Sequence, residues 1–312
     1  MILNHLIESQ QFTLEILFQL FKRADELRIK TDNCLKGKVL ATLFYEPSTR
    51  TRLSFESAML KLGGGVISTE NAKEFSSAIK GESLADTIRI VGGYSDCIVI
   101  RHYETGAAQC ASEVSKVPII NAGDGKGQHP TQALLDVYTI FTEFGRLNNL
   151  KIAMVGDLAS GRTVRSLCYL LSKFIGNKIV FVSPENLKIG WDIKEYLKGK
   201  GIAFEEEINL NKVLSDVDVV YMTRIQKERI TFEDYEKARG KFIINESNLS
   251  LINASSRIMH PLPHCEEIVL PIAIEESDRR VAYFRQAENG LYVRMALLDM
   301  MLNSSFKNSI NS

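Results

Sequence analysis

The chain has 312 residues, of which 45% are hydrophobic and 24% charged, and its 38 basic and 38 acidic residues cancel. A single hydrophobic core stops growing at roughly 250–300 residues, so this length predicts two domains. Zero net charge excludes a global basic field for nucleic acid or an anionic membrane, and any anion site must be local. No apolar run reaches the ~20 residues that span a bilayer, and no basic region precedes an apolar core at the N-terminus. We therefore expect a cytoplasmic protein.

Short apolar runs rich in β-branched residues alternate with helical patterns along the chain. Most runs are continuous, as in strands buried on both faces of a parallel sheet. The predicted strands are 38–46, 97–102, 117–123, 150–157, 178–184, 217–223, 241–246 and 257–261. With helices between them, they predict an α/β fold of two doubly wound domains, each with a central, mainly parallel sheet flanked by helices.

The division between the domains is predicted to lie at a helix. Apolar residues recur at helical spacing from Leu134 to Phe141, and Gly145 is suited to end that helix. A second long helix, packed in the core, is predicted over 287–303. The predicted domains are 1–145, completed by the C-terminal helix at about 287–312, and 146–286.

Arginines cluster where the predicted strands end. In open parallel α/β sheets, ligands bind beyond the carboxyl ends of the strands. The segments at these ends are 48–52, 101–102, 124–132, 157–162, 223–226 and 260–263, and four of these six contain arginine. A neutral chain with this distribution is expected to form a local anion site.

The run Ser48-Thr49-Arg50-Thr51-Arg52 is the first of these segments. An apolar face from Phe55 to Leu62, followed by three glycines, predicts a helix that begins near Ser48–Thr51. Its backbone N–H groups, its dipole, the hydroxyls and the fork of Arg50 suit a phosphate. The simpler interpretation is a plain N-cap. Arg52, past the first turn, is expected to point away and to pair with an acid or the sheet edge.

The segment Gly156–Thr163, GDLASGRT, differs by one residue from a P-loop. Arg162 stands where a P-loop needs the compact charge of lysine, and no G-x-G-x-x-G is present. Nucleotide and dinucleotide sites are therefore disfavoured, although a P-loop-like phosphate-binding module stays open as an alternative.

His129 and Gln132 lie three apart in QHPTQALLD, around the start of a helix, so both side chains can point at one spot. Such a pair can donate to a carbonyl oxygen, although a lone histidine is more often structural. No second ligand has metal spacing to His129, and the five cysteines include no Cys-x-x-Cys pair. We expect no metal, no other cofactor and reduced thiols.

Taken together, the motifs resemble those of the aspartate carbamoyltransferase catalytic chains within the carbamoyltransferase family. The matching stretches occur in the family's order from about residue 40 to 303: FYEPSTRTRLSFESAMLKLGG, KGESLADTI, IVIRH, DGKGQHPTQALLD, GDLASGRTVRSL, VVYMTRIQKER, MHPLPHCEEI and QAENGLYVRMALL. Carbamoyltransferases in general share the first and fourth. TRIQKER and HPLP are more selective, because ornithine enzymes carry a cysteine in the latter motif, and they favour aspartate.

The resemblance implies a carbamoyl phosphate site in the first domain. Ser48, Thr49, Arg50 and Thr51 would hold the phosphate, while Arg101, His129 and Gln132 would contact the carbamoyl group. Thr51, Arg101 and His129 would polarise its carbonyl oxygen. The loop Pro261-Leu262-Pro263 would complete the site through backbone carbonyls that accept from the carbamoyl amine. The catalytic set is Arg50, Thr51, Arg101, His129 and Gln132.

The resemblance also implies an L-aspartate site and a shared assembly. Arg162, Arg224, Gln226 and Lys80 would bind aspartate, and Glu46, Arg162 and Arg229 would take part in domain closure. Ser76 and Lys80 match a loop that enters a neighbouring subunit's site in this family, which implies a homotrimer with shared active sites. A separate regulatory chain is left open.

The implied reaction transfers the carbamoyl group of carbamoyl phosphate to L-aspartate, an early step of de novo pyrimidine biosynthesis. The chain departs from the family pattern at His264, where arginine is common, and within 101–109, which lacks a proline after His102 and a closing arginine. Neither departure removes an implied substrate contact. The alternatives are a carbamoyltransferase with another, ornithine-like amine acceptor and a catalytically silent, carbamoyltransferase-like subunit.

Overall fold

The computed structural model describes residues 4–72, 81–225, 232–233, 235 and 240–303. The chain divides into two compact units, Met1–Tyr138 with Glu288–Ser312, and Thr139–Ala287. We call them unit 1 and unit 2. Each contains a parallel sheet flanked by helices, so the predicted α/β fold of two domains is confirmed.

Unit 1 is built on a four-stranded parallel sheet in the order β2-β1-β3-β4. Its strands are β1 (Val39–Phe44), β2 (Gly65–Glu70), β3 (Cys97–His102) and β4 (Ile119–Asp124). Its helices are α1 (Leu14–Ile29), α2 (Thr49–Lys61), α3 (Leu84–Val91), α4 (Ala107–Val114) and the start of α5 (Pro130–Phe144). A 3₁₀ turn, Ser9–Gln11, precedes α1.

The strands of unit 1 differ in burial according to their place in the sheet. β1, β3 and β4 are buried almost throughout, as their continuous apolar runs predicted. β2 is an edge strand that is half-buried or exposed along its length. Its mixed sequence GVISTE carries no continuous apolar signal, and for that reason the sequence did not predict it.

Unit 2 is built on a five-stranded parallel sheet in the order β10-β8-β5-β6-β7. Its strands are β5 (Lys151–Val155), β6 (Lys178–Val182), β7 (Ala203–Glu207), β8 (Val219–Met222) and β10 (Arg257–Met259), and β9 (Ile244–Asn245) pairs with β11 (Ile268–Val269). Its helices are α6 (Arg162–Leu171), α7 (Trp191–Gly199), α8 (Glu246–Leu249), α9 (Ile272–Ser277) and the start of α10 (Tyr283–Leu302). The 3₁₀ turns are Glu185–Leu187, Leu210–Lys212 and Leu214–Asp216.

The second sheet repeats the pattern of the first. β5, β6 and β8 are buried, and the sequence predicted all three. The edge strand β7 has the sequence AFEEE, and the sequence did not predict it because its three glutamates interrupt any apolar run. The strands predicted at 241–246 and 257–261 are shorter than expected, at Ile244–Asn245 and Arg257–Met259, and the short β11 was not predicted.

Helices α5 and α10 each cross the division between the units. The predicted helices over these parts of the chain are confirmed, and Gly145, with φ of +68°, follows the end of α5. The units divide after Tyr138 and after Ala287, in each case inside a helix. A division inside a continuous helix does not mark one residue as the domain boundary, so the boundary that we placed after residue 145 stays a prediction.

Candidate active site

The N-terminus of α2 lies directly after β1. The helix begins at Thr49, and Ser48 is its N-cap, but the Ser48 side chain makes no capping hydrogen bond. By contrast, the Thr13 and Ser83 side chains accept from backbone N–H groups at the starts of α1 and α3. The first turn of any helix leaves backbone donors without an intrahelical acceptor. The plain N-cap interpretation of Ser48 is therefore not what the structure shows, and its hydroxyl can serve a bound anion.

The two arginines of this run have different surroundings. Arg50 is exposed in the first turn of α2. Arg52 donates from Nη2 to Glu70 Oε2 at 2.7 Å, and from Nη1 to Glu56 Oε1 at 3.3 Å and Ser68 Oγ at 3.2 Å. Glu70 and Ser68 belong to the edge strand β2. The prediction that Arg52 pairs with an acid or the sheet edge is confirmed, and Arg50 is the arginine of this pair that faces solvent.

Arg101 lies near the end of β3, in register with Phe44 at the end of β1. Its Nε is 3.5 Å from Glu46 Oε2, and its Nη1 donates to the carbonyl of Ala122 at 3.4 Å. Since β1 and β3 are neighbouring parallel strands, Arg101 and the start of α2 lie at the same edge of the sheet. Glu46 thus pairs with Arg101 within unit 1, while its predicted part in domain closure stays a prediction.

His129 and Gln132 lie at the start of α5, which follows β4 at the same edge. Both are buried, and Gln132 Nε2 donates to Asp136 Oδ1 at 2.8 Å. That bond uses one of the two N–H donors of the Gln132 amide, and the amide's carbonyl oxygen can accept from a ligand's amine. Thr131 Oγ1 lies 3.4 Å from His129 Nδ1.

The carboxylate of Asp124 holds the loop that leads to His129. Oδ1 accepts from the backbone N–H of Gln128 at 2.8 Å, and Oδ2 accepts from that of Gly106 at 2.9 Å. Asn121 Nδ2 adds a third contact, at 3.2 Å to Oδ1. Because these donors come from both sides of the strand end, the loop has a defined path toward α5.

In unit 2, the loop after β5 runs from Gly156 to the start of α6 at Arg162. Gly156 has φ of +118°, and a Cβ there would lie 2.2 Å from the carbonyl oxygen of Thr223. Thr223 follows β8, and its N–H and its hydroxyl both donate to the carbonyl of Val155, at 2.8 and 2.7 Å. These contacts join the ends of β5 and β8, so Arg162 and the half-buried Arg224 start from adjacent positions on one sheet edge.

The loop His260–Pro263 follows β10, the neighbour of β8. Leu262 has φ of +55°, and the bond from Leu262 to Pro263 is cis. His260 is buried, while Leu262 is only half-buried. The three strand-end segments of unit 2 thus share an edge, as the sequence predicted.

Four of the predicted site residues, Ser76, Lys80, Gln226 and Arg229, lie outside the described residues.

Two family models match the chain. One, described as aspartate/ornithine carbamoyltransferase, carbamoyl-P binding domain, matches residues 4–142. The other, described as aspartate/ornithine carbamoyltransferase, Asp/Orn binding domain, matches residues 148–301. The chain belongs to the aspartate/ornithine carbamoyltransferase family.

Individual relatives and solved structures support the same family. Aspartate carbamoyltransferase 3, chloroplastic, of Pisum sativum is 57% identical over 307 residues, which are 96% of this chain and 78% of that protein. The catalytic subunit of aspartate transcarbamoylase from Methanocaldococcus jannaschii, in an orthorhombic crystal form, has a TM-score of 0.88 at 47% identity, covering 96% of this chain and 98% of that one. Aspartate transcarbamoylase from Trypanosoma cruzi in complex with carbamoyl phosphate and aspartate has a TM-score of 0.90 at 36% identity, covering 96% of each chain. The predicted resemblance is confirmed.

Sequence reasoning missed buried carboxylates that contact the candidate site residues of each unit. Asp136, Asp124 and Glu267 contact Gln132, the His129 loop and His260, respectively. Asp136 lies one helical turn beyond Gln132, so its spacing was an available signal. Glu267 follows the HPLP motif in HCEEI, but nothing in the sequence tells which of its two glutamates turns inward.

Among the described residues, no group of three or more His, Cys, Asp or Glu side chains could hold a metal ion. Nor does any helix in that part of the chain have the length and apolar character needed to cross a membrane.

Proposed function

We propose that the chain transfers the carbamoyl group of carbamoyl phosphate to the amine of L-aspartate, giving N-carbamoyl-L-aspartate and phosphate, an early step of de novo pyrimidine biosynthesis. The observation that carries this proposal is the N-terminus of α2, where Ser48, whose side chain makes no capping hydrogen bond, and the exposed Arg50 share a sheet edge with Arg101 and His129. The relatives from pea and Trypanosoma cruzi are named for this activity.

Unit 1 is proposed to bind carbamoyl phosphate. The backbone N–H groups of the first turn of α2, with Ser48, Thr49, Arg50 and Thr51, would hold the phosphate. Arg101 and His129 would donate to the carbamoyl oxygen together with Thr51. Gln132, whose amide nitrogen is held by Asp136, would accept from the carbamoyl amine through its oxygen.

Catalysis by these groups is mainly electrostatic. When the amine of aspartate attacks the carbamoyl carbon, negative charge develops on the carbonyl oxygen. A donor already aimed at that oxygen stabilises the transition state by roughly 2.7–4 kcal/mol. The bond from carbon to the phosphate oxygen then breaks, and the departing phosphate accepts the proton that the amine must lose. No side-chain nucleophile is needed in this scheme.

Unit 2 is proposed to bind L-aspartate. Arg162 and Arg224 follow adjacent strands, and two arginines with Gln226 and Lys80 suit the two carboxylates of aspartate. Clustered cations also offset the repulsion between two anionic substrates that must be brought together. Pro261, Leu262 and Pro263 are proposed to complete the carbamoyl site, and Glu46, Arg162 and Arg229 to take part in closure.

An assay with two amine acceptors tests the function. The purified chain is mixed with carbamoyl phosphate and either L-aspartate or L-ornithine, and the ureido product is measured. Product with aspartate is expected. Product with ornithine alone would overturn the aspartate assignment, and no product with either would favour a catalytically silent subunit.

The assignment of aspartate to unit 2 has its own test. Arg224→Ala is expected to raise the KM for aspartate about 100-fold, the effect of losing one hydrogen-bonded ion pair. Carbamoyl phosphate binding should stay nearly intact, since its proposed ligands in unit 1 are untouched. A large loss of carbamoyl phosphate affinity would show that the roles are misassigned.

We further propose a homotrimer in which Ser76 and Lys80 enter a neighbouring subunit's site. Chains carrying Lys80→Ala and Arg50→Ala are each expected to be inactive alone and to regain part of the activity in mixed trimers. No recovery, with hybrids shown to form, would place Lys80 in its own subunit's site. Size-exclusion chromatography of the chain in cell extract tests whether a separate regulatory chain binds, because a bound chain would co-elute at a larger size than the purified trimer.

A cytoplasmic location is the last part of the proposal. The pea relative is named as chloroplastic, so the two locations need a direct comparison. Fractionation of the source cells, with the chain detected by antibody, decides between cytoplasm and an organelle.

A further inference from the structure

The segment His5–Gln11 lies along the outer side of β4, which the strand order alone makes an edge of the sheet. Leu6 forms a parallel bridge with Ile120. Its N–H donates to the carbonyl of Ile119 at 2.8 Å, and its carbonyl accepts from the N–H of Asn121 at 2.8 Å. The segment therefore covers the edge of the strand that leads to the start of α5.

The side chain of Gln11 fixes the shape of this segment. Its Oε1 accepts from the backbone N–H groups of Ile7 and Glu8 at 2.7 and 2.9 Å, and its Nε2 donates to the carbonyl of His5 at 2.9 Å. The 3₁₀ turn begins at the buried Ser9, and the N–H of this first residue has no acceptor within the turn. Ser9 thus presents a buried backbone donor that needs a partner outside the turn.

Gln128 supplies that partner. Its Oε1 accepts from the N–H of Ser9 at 2.9 Å, and its Nε2 donates to Oε1 of Gln10 at 2.9 Å. The backbone of Gln128 is held as well, because its N–H donates to Asp124 Oδ1 at 2.8 Å and its carbonyl accepts from the N–H of Asp124 at 3.3 Å. Both the side chain and the backbone of this residue therefore have defined partners.

The residue after Gln128 is the candidate donor His129, which is 4% exposed. Its carbonyl accepts from the N–H groups of Gln132 and Ala133 at 3.0 and 3.2 Å, so α5 holds the chain on the C-terminal side of His129. Gln128 holds the chain on the other side. Since the rotamers open to a side chain depend on its backbone dihedral angles, the direction of the His129 ring depends on both supports.

We propose that Gln128 is a positioning residue for His129, and that the segment His5–Gln11 acts through it. The two hydrogen bonds to Ser9 and Gln10 keep the backbone at 128–129 in the conformation that aims the imidazole at the carbamoyl oxygen. This inference rests on the proposed function, because the direction of the ring affects the rate only if His129 donates to that oxygen.

The proposed role of His129 separates this effect from a general support of the fold. The ring acts on the oxygen where negative charge develops, so misaiming it should lower kcat. The phosphate is proposed to bind at the first turn of α2, which this loop does not form. Inorganic phosphate should therefore bind as before, whereas a general loosening of unit 1 would weaken phosphate binding as well.

The test compares Gln128→Ala and Ser9→Pro with a matched control, Ser9→Ala. Ser9→Pro removes the N–H that donates to Gln128. The first position of a helical turn tolerates proline, and Glu8 before it is extended, with φ of −140° and ψ of 155°, as proline requires of its neighbour. Ser9→Ala keeps the N–H and removes only the hydroxyl, whose buried Oγ has no hydrogen-bond partner among the described residues.

The kcat of carbamoyl transfer and the Ki of inorganic phosphate are measured for each variant, with unfolding curves to confirm folding. For Gln128→Ala we expect kcat to fall about tenfold, with the Ki of phosphate within about twofold of wild type. Ser9→Pro removes one of the two hydrogen bonds and should lower kcat about threefold. Ser9→Ala should change both constants by less than about twofold.

A double-mutant cycle with His129→Ala shows whether Gln128 acts through the ring. Once the imidazole is absent, its direction has no effect on the rate. Adding Gln128→Ala to His129→Ala should therefore lower kcat by less than about twofold, in contrast to the loss of about tenfold in the wild-type background.

Three results would overturn the inference. These are a full loss from Gln128→Ala in the His129→Ala background, a rise in the Ki of phosphate as large as the fall in kcat, and equal losses in Ser9→Ala and Ser9→Pro. If Gln128→Ala fails to fold, Ser9→Pro in the two backgrounds decides, and additive losses count against the proposal. A wild-type chain that forms no ureido product overturns the proposed function itself, whereas additive losses in an active chain overturn this inference alone.

Discussion

The two units place their strand-end residues by different means. In unit 1 the candidate ligands lie on regular elements, with Arg101 in β3, Thr51 in α2 and Gln132 in α5. In unit 2 Arg162 begins helix α6, but Arg224 and Leu262 lie in loops, beyond the ends of β8 and β10. Those loops are held by hydrogen bonds from side chains to the backbone, such as that from Thr223 to Val155.

This difference separates two sources of precision. A residue on a helix or strand is placed by the burial of the element's apolar face, which many side chains share. A residue in a loop is placed by a few buried polar groups, and each of these is costly to lose. Substitutions in unit 1 should therefore remove function while leaving the fold, whereas those in unit 2's loops should disturb both.

The largest effect is expected in unit 1. Arg50→Ala should lower kcat/KM for carbamoyl phosphate about 100- to 1,000-fold, because a charged donor to the phosphate is lost. Arg50 is exposed at the start of α2, so the unfolding midpoint should hardly change. Steady-state kinetics and urea unfolding on one sample measure both. Loss of stability along with activity would contradict the division between the units.

In unit 2, Gly156→Ala is expected to lower the stability of the fold. The added Cβ would lie 2.2 Å from Thr223 O, and φ of +118° is strained for alanine. We expect a loss of about 3 kcal/mol in the free energy of unfolding. Gly145→Ala is the matched control, since φ is +68° with nothing within 4 Å of the new Cβ, and it should cost only about 1 kcal/mol. Equal losses would mean that contact with Thr223 does not matter.

The same division explains how much the sequence could predict. The buried strands β1, β3 and β5 carry continuous apolar runs and were all predicted. The edge strands β2 and β7 were not, because an edge strand partly faces water and needs no apolar run. Ladder hydrogen bonds to a buried neighbour hold such strands in place, and these depend on residues far away in the chain.

The site divides in the same way. Ser48 to Thr51, His129 and Gln132 were predicted as site residues because a motif and a strand end coincide, and their roles stay predictions. Glu267 and Asp124 were not, because a buried carboxylate is recognised only by the N–H groups that surround it. Arg294 is another buried charged residue that the sequence did not single out. It is buried in α10, and loss of solvation lowers its pKa to about 10, yet its position in an apolar helix suggested only packing.

Unit 2 also contains a half-buried carboxylate, Glu143, that pairs with two arginines and whose contribution to stability depends on pH. Glu143 accepts from Arg257 Nε at 2.5 Å and from Arg285 Nε at 2.8 Å. Burial by itself would raise the pKa of Glu143, but the two arginines lower it overall below the ordinary 4.5. Its ionised form therefore contributes stability above about pH 4.5, and this contribution is lost as the pH falls through the lowered folded pKa.

Glu143→Gln should accordingly lower the free energy of unfolding by about 2 kcal/mol at neutral pH. The gap between variant and wild type should narrow as the pH falls through the lowered folded pKa of Glu143, because the wild-type carboxyl then becomes protonated. Urea unfolding at several pH values measures the gap. The exposed Glu276 of the same unit supplies the control, Glu276→Gln, which should show almost no gap. A gap that does not change with pH would exclude the carboxylate as its cause.

The smallest effect is expected from the loss of a polar contact in unit 1, where we expect buried apolar faces and not polar contacts to position the site residues. Arg52 is 20% exposed and joins α2 to β2 through Glu56 and Glu70. Because β2 and α2 are already held by backbone pairing and a buried apolar face, Arg52→Ala should cost only about 1 kcal/mol of unfolding free energy. Activity should stay within about twofold of wild type, in contrast to Arg50→Ala. Arg89→Ala, which removes the exposed pair with Asp86, should cost still less. If Arg52→Ala instead lowers activity as strongly as Arg50→Ala, the start of α2 depends on this polar contact, and unit 1 is positioned in the manner of unit 2.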